Sequence, residues 1–243
     1  MKPAAWLKLA AAAAALAGTA SAVDAQKKAA ASHAPQAPPA RDWARLVSPT
    51  PEGGFRIGNP AAAVKVVEFG SFTCSHCAQF AVEGFPVLLR DHVRGGRVSF
   101  EFRNYVRDPY DMAGALVARC ASPANFFPLA HRIFDTRDQW IGKFQALTQD
   151  QVRQLEALPV PQRMVRYAEI AGFTALAAQA GVPAARAQQC LTDKKNLDQL
   201  IAIRQVALNR YNLQGTPSFL VNGKMTEAYS WTELQPLLKP PAG

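Results

Sequence analysis

Two cysteines separated by two residues, Cys74-Ser75-His76-Cys77, are the side chains in this sequence best placed to do chemistry. Thiols three positions apart on a helix lie about one turn from each other. Such a pair can close a disulfide and open it again. The surrounding segment, FGSFTCSHCAQF, marks the change from an apolar strand pattern to a helical one. With Cys74 at or just before the first helical turn, free N–H groups and the positive end of the helix dipole favour a thiolate there. Cys77 is then the less exposed sulfur. The two thiols take unequal roles: Cys74 is the accessible nucleophile and Cys77 the resolving thiol. His76 lies between them. A protonated imidazole at that point favours the neighbouring thiolate, and so the reduced form, which makes the disulfide form a stronger oxidant.

Other uses of such a pair fit less well. Structural zinc sites place a second close pair of ligands downstream. Here Cys120 and Cys190 stand alone, and His33, His92 and His131 form no spaced set with them. Haem attachment takes a histidine directly after the second cysteine, where this chain has Ala78. An inert local disulfide over so short a loop constrains the unfolded chain very little. Redox exchange is favoured, with neither a metal nor an organic cofactor expected. The four cysteines allow three pairings. The simplest keeps Cys74 with Cys77 and joins Cys120 to Cys190.

Elements must position this pair. Phe55 to Gly58 reads as a short edge strand before the turn Asn59-Pro60. Val64 to Phe69 is a β-rich run expected at the centre of a sheet. A helix follows from about Cys74 to Val93, with Pro86 expected to kink or split it, and Gly95-Gly96 stops it. Val98 to Phe102 alternates with period two. Strand, helix and strand in that order predict a βαβ unit with parallel strands. From Asp111 to about Tyr211 the pattern is helix upon helix: 112–120, 125–134, 152–158, 162–180, 184–191 and 194–211. The sheet returns at Ser218 to Val221. Asn222-Gly223 then signals a hairpin, because both residues tolerate positive φ. A short helix over 232–238, capped by Thr232 or Ser230, ends the fold.

Composition sets the frame. Residues 1–22 read as a cleavable export signal: Lys2 and Lys8 precede an alanine-rich apolar run, and Ala20-Ser21-Ala22 supplies a small-residue cleavage pattern. That run is short for a membrane span. Residues 23–50 are rich in Ala, Pro, Lys and Gln and read as a disordered linker. The rest divides into a sheet domain, 51–105 plus 212–240, and a helical insertion, 106–211. The net charge is +9. The basic residues are scattered among acids and form no nucleic-acid motif, so nucleic acid is not an expected partner.

These motifs carry a resemblance. Glu68-Phe69-Gly70-Ser71-Phe72-Thr73-Cys74-Ser75-His76-Cys77 resembles the active-site segment of the DsbA-like thiol-disulfide oxidoreductases. Gly215-Thr216-Pro217-Ser218-Phe219 resembles their cis-proline loop. The resemblance covers roughly residues 50–240, and both motifs occur in order on either side of the helical block. It implies an α/β chain with a thioredoxin fold and an inserted all-helical subdomain. It implies that Thr216 precedes a cis Pro217 facing the cysteines, where exposed backbone pairs with an extended substrate. Glu68 becomes a buried acid that exchanges a proton with Cys77, and Phe72 adds apolar surface for substrate. A bond between Cys120 and Cys190 would staple two helices of the insertion, with about 4 kcal/mol from chain entropy. The implied activity is insertion of disulfides into reduced, unfolded exported proteins in the periplasm, by a monomer that a DsbB-like membrane quinone oxidoreductase reoxidises. Isomerase or reductase action by the same centre is the alternative within enzymes; a non-catalytic peptide-binding chaperone is the alternative outside them. Ser75 departs from the family's common proline at that point, which leaves the redox potential open.

Overall fold

The computed structural model of the chain describes residues 41–239. The expected signal peptide and most of the expected linker lie outside the described residues. The linker's last part does not behave as one. Trp43–Arg45 forms a 3-10 turn and Val47–Pro49 forms strand β1. Pairing explains this. β1 runs antiparallel to β2 (Phe55–Gly58), with Val47 opposite Ile57, and the Thr50 hydroxyl donates to Glu101 at 2.7 Å. β2 is therefore an interior strand rather than the edge that its sequence suggested.

β3 (Val64–Gly70) and β4 (Val98–Asn104) form the parallel centre, with Val66 opposite Phe100 and Glu68 opposite Phe102. β5 (Ser218–Val221) pairs antiparallel with β3, and β6 (Lys224–Met225) with β5. The sheet order is β1-β2-β4-β3-β5-β6. Asn222 and Gly223 close the β5–β6 hairpin with φ of 49° and 81°, the left-handed pair that a type I′ turn needs.

The helical run α1, residues 75–93, links β3 to β4. It is α-helical over Ser75–Gln79 and Phe85–Leu88, with π-turns over Phe80–Gly84 and Leu89–Val93. Pro86 lacks an N–H donor, and the wider turns on each side absorb the mismatch without breaking the run. Phe80 packs on Phe219 and Phe100 of the sheet, with ring centroids 4.9 and 6.0 Å apart. Each such burial contributes about 1.5–3 kcal/mol.

The insertion comprises α2 (Pro109–Ala118), α3 (Pro123–Asp135), α4 (Arg137–Gln145), α5 (Gln149–Glu156), α6 (Val160–Ala171), α7 (Phe173–Gln179), α8 (Ala184–Thr192) and α9 (Lys194–Tyr211). Two features depart from the sequence reading. The single helix expected over 162–180 breaks at Gly172, whose φ of 85° belongs to the left-handed region. α4 carries only a few apolar anchors, too few for a periodic signal. Trp140 and Phe144, one turn apart, hold it: both are buried, and Trp140 Nε1 donates to the Ile133 carbonyl at 2.9 Å. Cys120, just beyond α2, is bonded to Cys190 in α8, with Cα atoms 5.8 Å apart. A last helix, α10 (Trp231–Leu234), starts at Ser230, whose hydroxyl accepts from the Glu233 N–H, and runs into a 3-10 turn at Gln235–Leu238. No described helix is long and apolar enough to cross a membrane.

Candidate active site

β3 delivers the chain to the cysteines. Val64, Val66 and Glu68 alternate along it and are all buried. Glu68 lines a small cavity of about 20 Å³ together with Phe80, Phe85 and Phe100. Its Oε1 has no hydrogen-bond partner among the described residues. Burial pushes its carboxyl well above the ordinary carboxylate range, and negative charge on Cys74 pushes it further. Gly70 ends the strand for a steric reason. A Cβ there would stand 2.4 Å from the Phe102 ring and 2.8 Å from Glu68 Oε1.

The loop from Ser71 to Thr73 is held from two sides. Asp111 on α2 is wholly buried beneath it. Its carboxylate accepts from the Ser71 hydroxyl at 2.6 Å, the Phe72 N–H at 2.8 Å and the Arg107 N–H at 2.9 Å. Burial raises the Asp111 carboxyl to about 7; the three hydrogen bonds oppose that shift and the Asp108 charge adds to it. Asp108 accepts from the Thr73 hydroxyl at 2.6 Å. On the other side, Arg137 of α4 donates from Nε and Nη2 to the Thr73 carbonyl, at 3.1 and 2.8 Å. Sequence reading missed all three residues. Asp108-Pro109 was the available signal, an N-cap followed by a first-turn proline; nothing local marks Asp111 or Arg137.

Cys74 is the N-cap of α1, and its sulfur accepts from the Cys77 N–H at 3.4 Å. It also lies 3.1 Å from the Thr216 carbonyl. A thiol donates to that carbonyl. A thiolate accepts instead, and the Cys77 N–H and the Cys77 thiol are the donors beside it; the Thr216 hydroxyl is buried and has no partner among the described residues. The Cys74 thiol is lowered from 9.0 to about 5. The hydrogen bond from the Cys77 side chain is the largest cause. Burial opposes it; Thr216, the Cys77 N–H and the positive charge of Arg107 reinforce it. Cys77 moves the other way. Burial raises it well above 9.0, and the hydrogen bond to Cys74 and the charges of Glu68 and Cys74 add to this. One sulfur is thus poised as thiolate and the other held as thiol.

This asymmetry has a measurable consequence. Alkylation of the reduced protein, followed against pH, will show one cysteine titrating with a midpoint near about 5. The folded value is depressed below that of a free thiol. The corresponding stabilisation of the reduced protein is therefore full above pH 9.0 and is lost as pH falls toward about 5. Comparing urea midpoints of the reduced and oxidised forms across that window measures it.

The structure brings Glu68, Cys74, Cys77, Thr216 and Pro217 together, and the Thr216–Pro217 bond is cis. Cys74 is less accessible than its expected role suggested: it is 4% exposed and Cys77 is 0% exposed. His76 lies exposed on the first turn. Phe72 requires a correction. It offers no surface to a substrate, being 0% exposed, with its ring against Phe134 and Phe102 at 4.8 and 6.0 Å. Its backbone serves the site, through the bond to Asp111.

Comparison with known proteins agrees with this geometry. The thioredoxin family model matches residues 50–240. A Rickettsia felis chain, provisionally named a protein-disulfide oxidoreductase, is 30% identical over 177 residues, covering 72% of this chain and 55% of the relative. The chain spans about half the length of the curated relatives that it matches first. A crystal structure titled protein-disulfide isomerase from Novosphingobium aromaticivorans is 34% identical, with a TM-score of 0.71, covering 75% of this chain and 94% of that one. The Wolbachia pipientis α-DsbA1 structure shares the fold at a TM-score of 0.62 and 19% identity, covering 78% of this chain and 90% of that one. The chain belongs to the thioredoxin family and carries the DsbA-like form of its fold, with a helical block inserted into the sheet domain.

Proposed function

We propose that this chain is a protein disulfide oxidase acting on reduced, unfolded exported proteins. The observation that carries this reading is Cys74 at the N-cap of α1, its sulfur accepting from the Cys77 N–H and its thiol lowered to about 5, beside a fully buried Cys77 held as thiol. A stabilised thiolate stabilises the reduced enzyme, so its disulfide form gives up the bond readily. In the reaction a client thiolate attacks the Cys74 sulfur of the Cys74–Cys77 disulfide. The enzyme's S–S bond breaks and Cys77 leaves, taking up a proton; Glu68, buried beneath the pair, is the proposed donor. A second client thiolate then attacks the client sulfur of the mixed disulfide and releases Cys74 as thiolate. The client loses two electrons and the enzyme gains them. Thr216 steadies the Cys74 thiolate, the Pro217 loop receives the substrate backbone, and the positive charge acting on the sulfur is that of Arg107.

The remainder of the proposal rests on sequence and kinship. The signal pattern of residues 1–22 supports export to the periplasm; reoxidation by a DsbB-like membrane quinone oxidoreductase and action as a monomer follow from the resemblance to the DsbA-like proteins. The name of the Novosphingobium structure favours a second reading, isomerisation by the same centre. Oxidative refolding of a reduced disulfide protein tests the main reading: the wild type accelerates it and Cys74→Ser does not. Reactivation of a scrambled protein, together with the equilibrium against glutathione, separates the two. A potential nearer about −120 mV than about −270 mV marks the oxidase. An equal refolding rate with Cys74→Ser would sink the enzyme reading altogether.

A further inference from the structure

A groove of about 510 Å³ opens where the end of β4, the start of α2, the start of α6 and one face of α9 meet, and its Asp108 holds the loop that leads into Cys74. Its apolar surface includes Met112, Val160, Leu197 and Ile201. Val160 and Ile201 keep 43% and 40% of their surface. Single exposed apolar side chains are ordinary. Here they converge on one concave surface from separate helices, with Leu197 and Ile201 one turn apart on α9.

Its charged residues are unbalanced. Arg107, Arg163 and Arg204 line the groove, and Asp108 is the acid among its lining residues. The Asp108 carboxylate is already engaged, with the Thr73 hydroxyl and with the Tyr110 and Asp111 N–H groups. Among the described residues none of the three arginines forms a salt bridge. Arg163 Nη1 reaches only the Glu156 carbonyl at 3.2 Å, and its Nε is buried without a partner. Arg204 stands over the Tyr105 ring at 5.8 Å. Guanidinium groups over an apolar floor recognise carboxylates flanked by apolar side chains.

Position argues for a polypeptide occupant. Arg107 acts on the Cys74 sulfur directly by charge, and Asp108 holds Thr73, the residue before Cys74. A chain lying in the groove therefore has its neighbouring residues at the reactive sulfur. We propose that the groove docks client segments that carry Asp or Glu beside apolar residues near the reacting cysteine. This rests on the oxidase reading above and names its substrate class.

The test uses the oxidised full chain and two reduced single-cysteine peptides. They share the same apolar residues, one with two glutamates beside the cysteine and the other with two lysines. Rates of enzyme reduction are each divided by the rate with dithiothreitol, which reports the redox centre alone. The glutamate peptide is expected to react about tenfold faster at low salt, and the preference to shrink at high ionic strength. R204E should erase or invert the ratio, and R163Q should reduce it if the first variant folds poorly. Equal rates for the two peptides overturn the proposal, whether or not anionic vesicles bind the same face. So does a preference unchanged in both variants. Failure of dithiothreitol to reduce the enzyme would instead refute the redox centre itself.

Discussion

Cys77→Ser will halt exchange after its first half and leave partner proteins covalently attached to Cys74. Cys74 is the poised sulfur, lowered to about 5 and in contact with Thr216. In the variant it still attacks a disulfide of an added protein or of an aromatic disulfide reagent. The mixed disulfide then meets no second enzyme thiol, because the substitution removes the one three residues away and Cys120 and Cys190 are bonded to each other. Turnover falls to the uncatalysed level, while complexes accumulate that dithiothreitol releases. Non-reducing electrophoresis detects them. Cys74→Ser gives the opposite result, with no complexes, because the remaining thiol is buried and raised well above 9.0. Complexes on Cys74→Ser and none on Cys77→Ser would reverse the two roles.

Asp111→Ala is expected to lower the unfolding free energy by about 3 kcal/mol or more and to raise the Cys74 thiol. The alanine leaves the Phe72 and Arg107 N–H groups without their acceptor, and the Ser71 hydroxyl with only the Thr73 hydroxyl, 3.0 Å away. A buried donor stranded in this way costs about 1–3 kcal/mol. The loop they hold carries Cys74 at its end, so relaxation there loosens the contact between Cys74 and Thr216. Urea titration measures the first effect. The alkylation midpoint of Cys74, moving up from about 5, measures the second. Asp111→Asn retains one acceptor oxygen and should show a smaller version of both. It also isolates a pH effect. The folded Asp111 value is raised from 3.8 to about 7, so its contribution is full below 3.8 and is lost as pH rises through about 7. The stability advantage of the wild type over Asp111→Asn should narrow across that window. An alkylation midpoint unmoved by Asp111→Ala would limit Asp111 to a structural role.

Much of the frame was legible because it is local. Gly95-Gly96 ends α1, Asn222-Gly223 closes the β5–β6 hairpin, and the 194–211 periodicity gives α9 its full extent. β1 escaped for the opposite reason. Val47–Pro49 has no strand pattern of its own and is made a strand by β2 beside it. Phe72 misled because an apolar residue next to cysteines reads equally well as a substrate contact and as core. Only packing against Phe134 and Phe102 distinguishes the two.

The chemistry divides along the same line. Taken alone, the sequence determined that two thiols stand one turn apart at a strand-to-helix junction, since three residues of helix leave them nowhere else to go. It also marked Thr216-Pro217 and Glu68 through their resemblance to a known centre. The surroundings of the sulfurs came from tertiary structure. Asp111 reaches Ser71 across 40 residues, Arg137 reaches Thr73 across 64, and Thr216 reaches Cys74 across 142. A thiol's acidity depends on burial and on the donors and charges within a few ångströms. Those neighbours are assembled by the fold, so the reactivity of Cys74 and the silence of Cys77 were decided only when the chain closed around them.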